Sequence, residues 1–270
     1  MKNMLLARIP RIALWLACRG AVAGLLVTAT SAQAQAITDD FSDGNDTANP
    51  TWTHITGYVG STGQAWFVGG GTNPPGAYRL LAPNNGLSSF GFVGSYTGPG
   101  ISDMRVESDF IVFPGPGAGG AFGVGARLNG NNAVGGLAGY AYGYEPFAAG
   151  GLGEMVLYRI NPGVSLTDIG SQQVSLDPAK DYRFVLETTG STIHGQVFEI
   201  GGGLVAERFA TDATYTGGFG GIFGYSQNPL PSTDFTVDNF SVVPEPGVSL
   251  LMGLGMIGLL AGRRVWRRCA

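Results

Sequence analysis

Hydrophobic and polar residues alternate at a period of two through most of the chain. Met104–Phe113 shows it plainly: Val106, Phe110 and Val112 fall on one face with Ser108, and Arg105, Glu107 and Asp109 fall on the other. The same pattern, bounded by Gly, Pro, Asn or Asp, predicts strands over Trp52–Gly57, Ala65–Val68, Tyr78–Leu81, Ser89–Ser95, Met104–Phe113, Ala121–Leu128 and Gly139–Tyr144. It continues over Glu154–Ile160, Tyr182–Thr188, Thr192–Ile200, Leu204–Ala210, Gly218–Phe223 and Phe235–Val242. No segment keeps a helical period over about eleven residues. Thirteen short strands in one uninterrupted body predict an all-β, two-sheet sandwich in a single domain.

The two ends follow a different pattern. Residues 1–36 read as a secretory signal peptide: Lys2, Arg8 and Arg11, then an apolar stretch from Ile12 to Thr28 broken only by Arg19. The small-x-small sites Ala32-Gln33-Ala34 and Ala34-Gln35-Ala36 follow. The body is 37–242, and 243–270 forms a tail. In the tail, Pro244-Glu245-Pro246 precedes sixteen uncharged, mostly apolar residues, Gly247–Gly262, and then Arg263, Arg264, Arg267 and Arg268. The prolines keep the apolar segment from extending back into the body as helix. The segment suffices for a short transmembrane helix with snorkelling arginines on the cytoplasmic side.

This tail resembles the PEP-CTERM sorting signal of Gram-negative bacteria. The resemblance rests on Pro244, Glu245, Pro246, the apolar span and the cluster that Arg263 and Arg264 open. It implies a chain exported through the inner membrane, held there by its tail and processed by an exosortase-type enzyme near the motif. The cargo then goes to the cell surface or extracellular matrix, commonly in bacteria that build exopolysaccharide.

Composition narrows what the body does. Glycine is 46 of 270 residues, against ~7% usually, yet 44% of the chain is apolar and 11% aromatic, which suits a folded β domain with many turns. The net charge of −4 hides an asymmetry: residues 37–243 hold eighteen acids and seven bases, near −11. That balance argues against nucleic acid and anionic lipid as partners of the body and is compatible with divalent cations and neutral polymers. The two cysteines, Cys18 and Cys269, lie in the terminal segments, so the body relies on no disulfide or thiolate.

A second resemblance spans the body. Asp39-Asp40-Phe41 opens it and Val237-Asp238-Asn239-Phe240-Ser241-Val242 closes it. Between them come Met104–Phe113, Phe122-Gly123-Val124-Gly125, Thr192–Phe198 and Gly217–Gly224. This order is similar to the laminin-G/concanavalin-A-like jelly roll. It implies pairing of the first and last strands, which brings Asp39 or Asp40 near Asp238.

Several constellations are candidates for chemistry. Tyr140, Tyr142 and Tyr144 share one strand face; exposed, they make a stacking platform for sugars, with Trp52 and Trp66 in reach, and buried, they are core. Asp39, Asp40, Asp43 and Asp46, with Asp238 across the end strands, are a candidate calcium site, the alternative being an acidic turn of Asx hydrogen bonds. No other cofactor is expected. Glu107 and Asp109 share a strand face at a spacing that suits a retaining glycoside hydrolase, the alternative being a neutralised outer face. His54 and His194 read as structural, no G-x-S-x-G is present, and no glycine run precedes a Lys-Ser/Thr pair. Three functions remain: a non-enzymatic carbohydrate- or exopolysaccharide-binding surface protein, a glycan-degrading hydrolase of the same fold, and a ligand-free structural component.

Overall fold

The alternation along Met104–Val112 becomes a strand whose Val106 and Phe110 enter the core while Arg105 and Glu107 face outward. The computed structural model describes residues 35–55, 65–68, 76–84, 91–130, 137–163, 165–226 and 230–245. Within them, two antiparallel sheets stack as a sandwich. With strands numbered along the chain, the eight-stranded sheet runs β13 (Leu204–Thr211), β12 (Thr192–Glu199), β11 (Tyr182–Thr189), β6 (Met104–Val112), β15 (Thr233–Pro244), β4 (Tyr78–Ala82), β3 (Ala65–Val68). Its remaining strand, β1 (Ile37–Asp39), pairs with β15 through Ile37↔Val242 and Asp39↔Phe240, so the end strands meet as expected. The seven-stranded sheet runs β10 (Ser165–Gln173), β9 (Glu154–Asn161), β8 (Ala138–Glu145), β7 (Phe122–Asn129), β14 (Gly218–Ser226), β5 (Gly91–Ile101), β2 (Thr53–His54).

Two departures from the predicted strands have plain causes. β10 was not predicted because Ser165–Gln173 is an edge strand with no fully buried side chain, so no apolar face marks it. β5 runs on to Ile101 through Gly98-Pro99-Gly100, residues that normally break strands. Its pairing with β2 stops at Tyr96, so Pro99 sits where that neighbour asks for no N–H.

The main core lies between the sheets, built from Val106, Phe110, Phe184, Leu186 and Phe235 on one side and Phe122, Val124, Met155, Leu157 and Ile222 on the other. Phe110 lies 5.4 Å from Phe122 and 4.3 Å from Phe184, ring centre to ring centre. A smaller cluster, including Ala141, Val156, Tyr158, Ile160 and Phe223, covers the opposite face of the seven-stranded sheet. Both faces of that sheet are apolar, so β7 and β8 read as nearly continuous buried runs.

Many of the glycines lie inside strands, where the opposite sheet presses closest. A Cβ on Gly195 of β12 would sit 2.6 Å from the Tyr142 ring of β8. One on Gly224 of β14 would meet the Phe235 ring of β15 at 2.4 Å, and one on Gly220 would meet Val242 at 2.3 Å.

Side chains bridge the two sheets at each margin of the sandwich. At one, the Gln172 side chain of β10 accepts the Glu207 N–H of β13 at 3.3 Å. At the other, the Trp66 ring of β3 stacks on His54 of β2 at 4.4 Å and 4°, and its Nε1 donates to the Gly94 carbonyl of β5 at 3.2 Å.

Gly195→Ala is expected to cost about 1–3 kcal/mol, because the Tyr142 ring has nowhere to yield. Tyr142→Phe is expected to stabilise by about 1 kcal/mol, since the buried Tyr142 hydroxyl has no hydrogen-bond partner among the described residues. Urea unfolding of the body measures both; a fully stable Gly195→Ala protein would show that the sheets can part at this point.

Candidate functional site

The outer face of the eight-stranded sheet carries an open groove of about 710 Å³. Asp40, Asp43 and Asn49 line it from the turn after β1; Glu107, Arg183 and Asn239 line it from the sheet. Register sets the sheet side. Asp109 pairs across the ladder with Arg183 and with Asp238, and Glu107 with Ser241. Between Asp238 and Ser241 the ladder slips, and Asn239 takes a left-handed φ of 49°. This bulge aims the Asn239 amide at Asp109, to which it donates at 3.1 Å. Arg183 grips the same carboxylate through Nε at 2.7 Å and Nη2 at 2.9 Å.

A polar strip continues across the face from the groove. Arg105 pairs with Glu107 at 3.0 Å and, across the strands, with Glu187. Glu187 lies 3.3 Å from His194 Nδ1, and Glu207 lies 2.8 Å from His194 Nε2. His194 stacks on Phe209 at 3.9 Å and 6°, and Phe209 is 61% exposed at the end of the strip. No local motif shows this strip. It exists because Arg105↔Glu187, Glu187↔His194 and His194↔Phe209 are cross-strand neighbours.

The candidate calcium acids are separated by their own hydrogen bonds. Asp39 accepts the Phe41 N–H and the Trp52 Nε1–H, each at 2.7 Å. Burial raises its pKa, and those two bonds only partly offset that. Asp40 accepts the Ser42 hydroxyl at 2.7 Å and the Ser42 N–H at 3.1 Å, which hold it below the usual carboxylate range. Asp43 accepts from Asn45, and Asp46 lies 2.6 Å from His54 Nε2. Burial raises the Asp238 pKa, and its nearness to Asp109 and Asp40 adds to this. Among the described residues no group of three metal-ligating side chains converges.

The tyrosine row is core rather than a platform. Tyr140, Tyr142 and Tyr144 are all fully buried between the sheets, because their side of β8 is the inner side. The Tyr140 hydroxyl donates to Asp212 at 2.8 Å and accepts the Tyr215 N–H at 3.0 Å. The Tyr144 hydroxyl accepts the Leu176 N–H at 3.2 Å. Trp52 is also buried, packed on Phe41, Tyr78 and Phe240 at 4.7–5.7 Å. Trp66 is half-buried in the margin contact with His54. The aromatic residues that alternation places on one face therefore stabilise the sandwich, and the rings exposed on the outside of the eight-stranded sheet include Phe209 and Phe67.

The sorting motif begins inside the sheet. Pro244 is the last residue of β15, opposite Met104, and the Glu245 N–H donates to the Asp103 carbonyl at 2.9 Å. Burial raises the Glu245 carboxyl pKa; nearby Glu187 adds to this and Arg105 opposes it. Pro246, Arg263, Arg264, the predicted membrane span and residues 1–34 of the predicted signal peptide lie outside the described residues. Among the described residues no helix is long and apolar enough to cross a membrane.

A family model described as the PEP-CTERM protein-sorting motif matches residues 242–268. That motif is the exosortase recognition signal, and it indicates an exported protein sorted to the cell envelope or surface. No curated protein matches the chain. Among solved structures, the chain is similar to the lectin UEA-II complexed with galactose, with a TM-score of 0.55 at 9% identity over 78% of this chain and 99% of that one. It is similar to the CBM2 module of the evolved Dit of Lactobacillus casei BL23 phage J-1, with a TM-score of 0.50 at 12% identity over 79% and 98%. LamAcat from Zobellia galactanivorans gives a TM-score of 0.49 at 11% identity over 78% and 98%. The first two show the fold of the body: the jelly roll of lectins and carbohydrate-binding modules, as the concanavalin-A-like resemblance implies.

The loop that holds Tyr140 has a measurable pH signature. Burial alone would raise the Asp212 pKa. Bonds from the Thr214 hydroxyl and N–H, from Tyr140 and from Arg159 outweigh it and hold the carboxyl at about 2, against an ordinary 3.8. Asp212 thus stabilises the fold fully above about pH 4, and loses that contribution as the pH falls towards 2, by about 1–2 kcal/mol once solvent screening of the partly exposed Arg159 is counted. Asp39 and Asp238, both raised by burial, act in the opposite sense, so the effect is read as a difference from Asp212→Asn. Unfolding of the two proteins between pH 5 and 2 is expected to differ most at the upper end and to converge in acid.

Proposed function

We propose that the body is a non-enzymatic carbohydrate-binding module. An exosortase-type enzyme processes its tail, and the module works at the cell surface or in the extracellular matrix of a Gram-negative bacterium. The observation that carries this reading is the open, hydrogen-bonding groove on the outer face of the eight-stranded sheet. Carboxylates and amides there offer acceptors and donors in pairs, which suits the adjacent hydroxyls of a sugar. Among the described residues the groove carries Asp39, Asp40, Asp43 and Glu107 against the single cation Arg183. With a body near −11, this favours a neutral extracellular polysaccharide over an anionic one. The folds of UEA-II, a lectin complexed with galactose, and of the phage CBM2 module support the reading at the level of architecture.

A retaining hydrolase needs one carboxylate free to attack and one carboxyl free to give and take a proton. Asp109 is held by Arg183 and Asn239, and Glu107 by Arg105. That arrangement suits a fixed binding surface better than a reacting pair.

Neutral polysaccharides and a glycan array, offered to the processed body with product release monitored, test this. Asp43→Ala and Glu107→Gln are each expected to weaken binding about tenfold, or ~1.4 kcal/mol, with unchanged thermal stability. A chelator is expected to change nothing, since among the described residues no three metal-ligating side chains converge. Sugar release abolished by Glu107→Gln would replace this reading with the hydrolase.

A further inference from the structure

We propose that the folded body controls access to its own sorting motif: the processing enzyme reaches Pro244 and Glu245 only after the end of β15 peels away from β6. The proposal rests on the exosortase reading of the tail. The match to the sorting motif begins at residue 242, but the sheet does not end there. Val242, Val243 and Pro244 stand opposite Val106, Arg105 and Met104 of β6. One recurring way to hold an extended peptide is to take its main chain as an added strand, through N–H and C=O groups. Pro244 has no N–H to offer. The N–H of Glu245 is already given to the Asp103 carbonyl at 2.9 Å.

Asp103 is not a loose partner. Its carboxylate accepts the Gly190 N–H at 2.9 Å and Nη2 of Arg127 at 3.1 Å. Arg127 is 1% exposed, and its guanidinium also donates to the carbonyls of Ser102 and Tyr215 at 2.6 and 2.9 Å. The first two motif residues are therefore fastened to a buried hub that also holds the β11–β12 turn and the loop before β14. On its other edge β15 meets β1 only as far as Val242, so peeling from the C-terminal end disturbs only β6 and the adjoining Asp103 among the described partners.

The test uses the full-length chain exported in cells that hold a processing enzyme for this motif. Arg105→Cys with Val243→Cys places a disulfide across a registered pair, and Cys18→Ser with Cys269→Ser removes the two competing thiols. Oxidised, this protein is expected to be processed at least tenfold more slowly than the same protein reduced. A four-residue Gly/Ser insertion between Val243 and Pro244 is expected to speed processing several-fold without changing the melting temperature of the body. Equal rates in the oxidised and reduced forms, with no gain from the insertion, would overturn the proposal while leaving the sorting reading intact. An exported chain left unprocessed in every form would overturn both.

Discussion

The two sheets lie face to face because glycine leaves room for the rings and branched chains of the opposite layer. Gly195 underlies Tyr142, Gly224 receives Phe235 and Gly220 receives Val242. Each contact joins one sheet to the other, and each excludes even a methyl group. Aromatic side chains bury a large apolar area but need depth. Glycine in a strand weakens that strand alone, and the rings stacked over it supply the compensation. Much of the high glycine content is thus a packing requirement, in addition to the turns that composition by itself suggests.

The fold class was legible because alternation is a local signal. What alternation cannot say is which of two faces is the inner one. Tyr140, Tyr142 and Tyr144 share a face under either reading, and only the second sheet, far away in sequence, decides that the face is buried. β10 shows the same limit from the other side: with no side chain fully buried, it had no pattern to detect, and it is a strand because Glu154–Asn161 offers it a ladder. β5 hid its second half behind a proline that its missing neighbour tolerates.

The candidate site divides in the same way. Glu107 and Asp109 were placed correctly on one strand face. Their partners Arg105, Arg183 and Asn239 come from three strands, and two of these are assembled only by cross-strand register. His194 was read as structural, and it is held by Glu187 and Glu207. Its stacking on the exposed Phe209 required knowing that β12 and β13 align those residues. The sorting motif, by contrast, was legible whole because it is contiguous. What its sequence could not show is that Pro244 still belongs to the sandwich.

The side-chain bridges at the two margins matter for where such a protein ends up. A sheet margin normally offers a row of unpaired N–H and C=O groups that can recruit another chain. Here the Glu207 N–H is taken by Gln172 of the other sheet, and at the far margin Trp66 and His54 lie across the gap between layers. Copies crowded at high local density on a cell envelope would otherwise have open templates for fibrous association. Each such bridge takes part of a margin out of that role, so that any polymer of the surrounding matrix, more than neighbouring copies, would set the spacing between them.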